Sequence, residues 1–200
     1  MGDYCSVANL REYLGVDGAV DDALLGDAID AAEAYIDKAT RRRFRVPKVS
    51  WRRFDAIRDV DGDTLYLDYD LVKDSQIVNG DNTIVAVADR QLMTPNSPPY
   101  WGIRLLSGRW TSRAHLSSRW TYSTHSEDAI RIRGYWGYSI KAPPDIVQAT
   151  RRLAAYLYKQ KDSQVFDVAS FYEGGILTVP QGIPSGVALT LNHYRRGGVA

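Results

Sequence analysis

The apolar spacing of this chain changes period twice, and that limits it to a mixed architecture. Between residues 21 and 44, Leu25, Ile29, Ala32, Ile36 and Ala39 recur at helical spacing. Leu24, Ala28 and Tyr35 widen this stripe, and Asp30, Glu33 and Asp37 fall on its other side. From about residue 48 short strand-like runs replace it: 49–57, 65–69, 84–88, 103–106, 119–122 and 129–135. Ile130, Arg131, Ile132 and Arg133 alternate as in a half-buried strand. After Pro143 and Pro144 the helical period returns through Ile146, Thr150, Leu153 and Leu157, with Arg151, Arg152, Lys159 and Lys161 on the wet side. Helices, then strands, then helices predict an α+β fold: a small helical bundle from the N- and C-terminal helices with an inserted antiparallel β-rich segment. The expected parts are N-terminal helices over 1–45, a β insertion over 46–139, a long helix over 140–162 and a C-terminal arm over 163–200.

Local signals sharpen these boundaries. Ser6 and Gly15 predict the start and stop of a short first helix, and Asp21 is placed to cap the second. Arg41, Arg42 and Arg43 sit where cations favour a helix C-terminus, and Pro47 forbids further helix. Asp61-Gly62-Asp63, Asn79-Gly80-Asp81-Asn82 and the proline-rich 95–99 are turn chemistry between strands. Residues 111–125 read as a long hairpin or loop. A last helix is expected over 184–194, using Val187, Leu191 and Tyr194.

Charge and cysteine usage narrow the function classes. A net charge of +1 argues against a dedicated nucleic-acid binder, although a local basic patch is compatible with it. The single cysteine, Cys5, allows no internal disulfide, so a reducing compartment is the default. No apolar run approaches the roughly 20 residues of a membrane helix, and no membrane role is expected. The 13 Tyr and 5 Trp against 4 Phe suit either β strands or half-buried assembly surfaces.

Candidate chemistry is thin. Asp59, Asp61, Asp63, Asp68 and Asp70 imitate the start of a calcium loop, but Thr64 stands where that loop needs glycine and Asp70 where it needs glutamate. The bland alternative is a turn entering a strand. His115, His125 and His193 lack metal-ligand spacing with each other or with Cys5. No catalytic residue, metal or cofactor is expected. The Arg41–Arg43, Arg52–Arg53, Arg151–Arg152 and Arg195–Arg196 runs read as helix-end charge and inter-subunit ion pairs rather than phosphate contacts.

Two blocks carry a family resemblance. The first holds Ile29, Ala32, Ile36, Asp37, Thr40, Arg42 and Phe44; the second holds Gly134, Trp136, Gly137, Tyr138, Pro143 or Pro144, Ile146 or Val147, and Ala149. In order and spacing they resemble the head–tail connector (adaptor, or head-completion) proteins of tailed bacteriophages, and the likeness runs over roughly residues 6–160. It implies Ile36, Asp37, Thr40, Arg42, Phe44, Trp136, Gly137, Tyr138 and Pro144 as fold-signature residues. It implies a non-enzymatic virion protein of the neck, made in the host bacterial cytoplasm. Such proteins form a ring, usually of twelve copies, under the portal, extend the DNA channel and dock a stopper or tail-terminator protein. DNA then transits the lumen without sequence-specific binding. Trp136 and Tyr138 are expected to seal the packing of the second helix against the helix after Pro144. In the C-terminal arm, Phe166, Phe171, Tyr172, Leu191, Tyr194, Arg195 and Arg196 are the expected partner-contacting residues. Rival readings are another neck or tail-completion module, or a carbohydrate-binding or enzymatic β module.

Overall fold

In the computed structural model, four helices and an antiparallel sheet follow the change of period, so the fold is α+β. The structure describes residues 4–46, 48–114, 124–125, 129–163 and 183–196. It divides into a helical unit, residues 1–42 with 142–200, and a sheet unit, residues 43–141.

In the helical unit, α1 (Val7–Leu14), α2 (Asp22–Thr40), α3 (Pro144–Ser163) and α4 (Ser185–Tyr194) bury one stripe each. Ser6 caps α1 by accepting from the Asn9 N–H at 3.2 Å, and Gly15 ends it in the left-handed conformation at φ 66°. Leu10, Leu25, Ile29, Ala32, Ile36, Ile146, Leu153, Ala154, Val187 and Leu191 supply the core. Two expectations about α2 fail. Leu24 and Tyr35 are 47% and 43% exposed, outside the stripe they were expected to widen. Asp21 stands at the N-cap but its carboxylate makes no cap bond; it accepts instead from the Tyr158 hydroxyl on α3. A distant partner has displaced the local one. The helix ends at Thr40, well before Pro47, because Arg41 turns left-handed at φ 55°.

In the sheet unit the strand order is β1-β8-β3-β5-β4, all neighbours antiparallel, where β1 is Ser50–Phe54, β3 Thr64–Val78, β4 Arg90–Leu92, β5 Tyr100–Leu105 and β8 Ile130–Trp136. A two-residue β2 (Val60–Asp61) pairs with the start of β3. Two-residue β6 (Arg113–Ala114) and β7 (Thr124–His125) pair with each other within the expected long hairpin; the strand expected over 119–122 lies outside the described residues.

Strand β3 is three times longer than its apolar run suggests. Its first half pairs with β5 and its second with β8, and the register shifts within each pairing, between Tyr66 and Leu71 against β5 and at Leu71–Lys73 and Asp74–Gln76 against β8. Bulges bend a strand and increase its twist. Side chains from several strands can therefore meet on one concave face: Phe54, Leu65, Leu67, Leu71, Ile77, Ile103, Leu105, Ile130, Ile132 and Trp136, with Val85 and Trp110 added from loops. The bulges also break strict alternation, so residues 70–78 do not show as strand in the apolar spacing alone. The run 84–88 is not a strand: Ile84 makes one isolated bridge to Val78, and a 3₁₀ turn follows at Val87–Asp89. Beneath it a nearly buried ion pair joins Arg90 to Asp74, and Arg90 also donates to the Val85 carbonyl. That second bond helps satisfy a charge that would otherwise be costly to bury.

Candidate partner interface

The fold-signature residues are not one site; they terminate and join elements within each unit. In the helical unit, Ile36 is fully buried. Asp37 accepts from the Tyr4 hydroxyl at 2.5 Å, while Glu33 one turn earlier accepts from the Tyr4 N–H at 2.6 Å. These bonds pin the segment before α1 to α2. Buried Thr40 donates to the Ile36 carbonyl at 2.7 Å and accepts from the Arg42 N–H at 3.3 Å. Its own carbonyl accepts from the Arg196 N–H at 2.9 Å. One threonine thus satisfies several groups left open by a helix end. Pro144 opens α3, where the absent N–H is not missed. Behind it, the Pro143 carbonyl accepts from the Val147 N–H at 3.0 Å.

In the sheet unit, Phe44 is fully buried and packs on Tyr138, with ring centroids 5.4 Å apart. Around this pair the backbone is tightly stitched. The Gly137 N–H donates to the Asp70 carbonyl and the Tyr138 N–H to the Arg43 carbonyl, each at 2.7 Å. A Cβ on Gly137 would lie 2.4 Å from Val46 Cγ2 and 2.7 Å from the Arg43 oxygen, so this close approach requires glycine. Gly134 is held similarly, since a Cβ there would meet Leu71 Cδ1 and the Lys73 carbonyl at 2.7 Å. Trp136 belongs to the sheet core. It packs on Phe54 at 5.7 Å, and its Nε1–H donates to the Ser50 carbonyl at 3.0 Å. These partners of Trp136 and Tyr138, the two residues expected to seal helix packing, lie inside the sheet unit.

Of the expected partner-contacting residues, Phe166, Phe171 and Tyr172 lie outside the described residues. Leu191 is 4% exposed in the helical core. The Tyr194 hydroxyl donates to the Asp145 carboxylate at 2.7 Å, and Arg196 is tied through its N–H to Thr40. Arg195 is exposed. Residues 183–196 therefore pack on their own helical unit. Sequence reading missed this because α4 is short and its partners lie far away along the chain.

The aspartates of the calcium-like stretch are spread over a turn and a strand. Asp59 accepts from the Asp55 N–H at 2.7 Å, Asp63 lies 3.4 Å from Arg104, and Asp68 pairs with Arg52 at 2.6 Å. Arg52 also lies over Tyr69, 4.5 Å from the ring centroid. Among the described residues no group of three or more His, Cys, Asp or Glu side chains is placed to hold a metal. Nor, among them, is any helix long and apolar enough to cross a membrane. The Cys5 thiol is buried, which pushes its pKa up; the Arg151 charge acts against this and Glu33 with it.

The exposed aromatics are the surface feature that sequence reading did not single out. Trp51 is 48% exposed on edge strand β1. Tyr66 and Trp101 stack on each other at 5.6 Å on the outside of β3 and β5. Their signal was present in strand alternation: Tyr66 lies between Leu65 and Leu67, both buried.

No family model matches the chain, and no curated protein matches it by sequence. Solved structures that share its fold include the following two. A chain from the neck of an empty gene transfer agent (GTA) particle, computed with C6 symmetry, aligns with TM-score 0.59 and 18% identity, covering 97% of this chain and 90% of that one. A chain from the virion of a native gene transfer agent particle aligns with TM-score 0.54 and 21% identity over the same shares. At these identities the likeness is one of fold: the chain has the α+β fold of protein components of gene transfer agent necks and virions.

Proposed function

We propose that this protein is a structural component of a phage-type particle neck, without enzymatic activity. The observation that carries the reading is the fold likeness to a neck chain over 97% of the protein. The order and spacing of the signature blocks support the finer assignment to a head–tail adaptor. The signature residues described above close a helix, pack a core, tie two segments together or permit a close backbone approach, which suits a family defined by its scaffold.

In this reading copies of the chain form a ring under the portal, extend the DNA channel and dock a stopper or tail-terminator protein. Twelve copies are compatible with the six-fold symmetry of the similar neck, since six-fold rotation is contained in twelve-fold rotation. DNA passes through the lumen unread, and the protein resides at the portal vertex after synthesis in the host cytoplasm. Phe166, Phe171, Tyr172 and Arg195 are the proposed portal-side contacts. Immunogold labelling of intact particles tests location: label at the neck is expected, and label confined to the tail tip or capsid faces would overturn the reading. Negative-stain imaging with and without portal protein tests the ring; a protein that stays monomeric and fails to bind portal would count against an adaptor.

A further inference from the structure

The near-neutral total charge conceals two opposed fields. Residues 1–42 and 142–200 hold thirteen acids and ten bases, a net of −3, whereas residues 43–141 hold eleven acids and fifteen bases, a net of +4. The positive excess has a defined place. Strands β1 and β8 contain no acidic residue. Their register sets Trp51 opposite Arg133 and Arg53 opposite Arg131, so these four side chains share the outer face. Lys73 on β3 pairs with Tyr135 on β8 and extends that face. Arg133 and Lys73 are exposed, and Arg131 leans on Asn82 through a 2.9 Å bond. Asp74, the nearest acid along β3, pairs with Gly134 on the core side and is taken by Arg90.

The complementary surface lies on α2. Its outward stripe carries Leu24, Asp27, Ala31, Ala34 and Tyr35, with Asp30 beside it, all exposed, and ends at its C-terminal side in the exposed Lys38. Apolar and acidic groups there match aromatic and basic groups on the sheet. Burying Trp51 and Tyr35 would supply the central anchors of an interface, and the charges would set register and orientation.

We propose that the outer face of β1 and β8 docks the exposed face of α2 from a second copy of this chain. The contact joins two different patches, so it is heterologous and propagates into a closed ring or an open filament rather than a two-fold dimer. This inference rests on the ring-forming reading above and names its subunit contact.

The test is charge exchange between copies, read by sedimentation velocity and negative-stain imaging of the full chain at low and high salt. The wild type is expected to self-associate at low salt and weaken as salt rises. Asp27→Lys with Asp30→Lys in one variant, and Lys73→Glu with Arg133→Glu in another, should each weaken association roughly a hundred-fold, because like charges then face each other. All four positions are exposed, and circular dichroism checks that both variants keep the fold. Mixing the two variants should restore association, since each basic face then meets an acidic one. Trp51→Ala should weaken association about ten-fold.

Association unchanged in either variant, or a mixture that fails to recover, would overturn the contact. A wild type that remains monomeric at low salt would also overturn it. So would a face that instead binds duplex DNA, seen as a mobility shift abolished by Lys73→Glu with Arg133→Glu while self-association persists. Immunogold label at the neck alongside any of these results would leave the neck reading standing.

Discussion

The helical and sheet units both bury an apolar core, but they differ in chain continuity and in the ties that fasten distant segments. The helical unit is assembled from two distant stretches of chain, and long-range polar ties fasten it: Tyr158 to Asp21, Tyr194 to Asp145, Tyr4 to Asp37 and the Arg196 backbone to Thr40. The sheet unit is one continuous stretch, and its core is made of large apolar side chains, with glycines at Gly80, Gly134 and Gly137 where backbone passes close by. A discontinuous unit must secure segments whose meeting costs chain entropy. A bent sheet must mainly fill its own concave face. Both units also have apolar cores, so large single losses are expected in either, and the polar ties of the bundle should add modest increments on top.

All five tryptophans fall within residues 43–141, so tryptophan fluorescence reports the sheet unit and helical circular dichroism the other. The largest expected effect is Trp136→Ala, at about 3–5 kcal/mol from loss of a buried aromatic. The fluorescence midpoint in urea should fall while the helical signal moves less; equal shifts in both would break the contrast between the units. Ile36→Ala should cost about 2–4 kcal/mol and reverse the pattern, lowering the helical midpoint more. Gly137→Ala should cost about 2–3 kcal/mol in the sheet unit, as Val46 and the Arg43 carbonyl are forced apart. A neutral result there would mean that the loop carrying Arg43 yields readily.

Tyr194→Phe should cost only about 1 kcal/mol, the worth of one partly exposed hydrogen bond, and should leave the fluorescence midpoint unchanged. Smallest of all is a pH effect in the Asn79–Thr83 turn. Asp81 is held below the usual carboxylate range first by the Thr83 hydroxyl at 2.6 Å and then by the Thr83 N–H at 2.9 Å. Because its folded pKa is depressed, the contribution is present above the ordinary carboxylate pKa and is lost as pH falls through the lowered value. Urea midpoints of the wild type and Asp81→Asn should converge on acidification from pH 6 towards pH 3; parallel curves would show the turn to be indifferent to this charge.

Much of the helical frame could be read along the chain because caps and stripes are local. Ser6, Gly15 and the Leu25–Ile29–Ala32–Ile36 series required no knowledge of distant residues. The failures at Asp21, Leu24 and Tyr35 share one cause: which side of a helix is covered, and which oxygen takes a given hydroxyl, depends on what arrives from elsewhere. Residues 70–78 escape the apolar spacing for a related reason, since bulges disrupt the two-residue period that announces a strand. The signature residues were visible as a pattern, yet their meaning as caps and close approaches appeared only with partners such as Arg196, Arg43 and Val46. Leu191 and Tyr194 looked available because nothing near them in sequence could cover them.

By itself, then, the sequence determined where periodicity begins and ends, and with it the α+β class and the absence of strong net charge. These are sums and spacings, set by neighbours a few residues apart. Tertiary structure alone decided that opposite charges collect on different units and that Trp51, Arg133 and Lys73 share one exposed face. Strand register and helix rotation bring together residues separated by 80 or more positions, such as Trp51 and Arg133. No local pattern encodes that pairing, because it is selected by which apolar faces can close on one another.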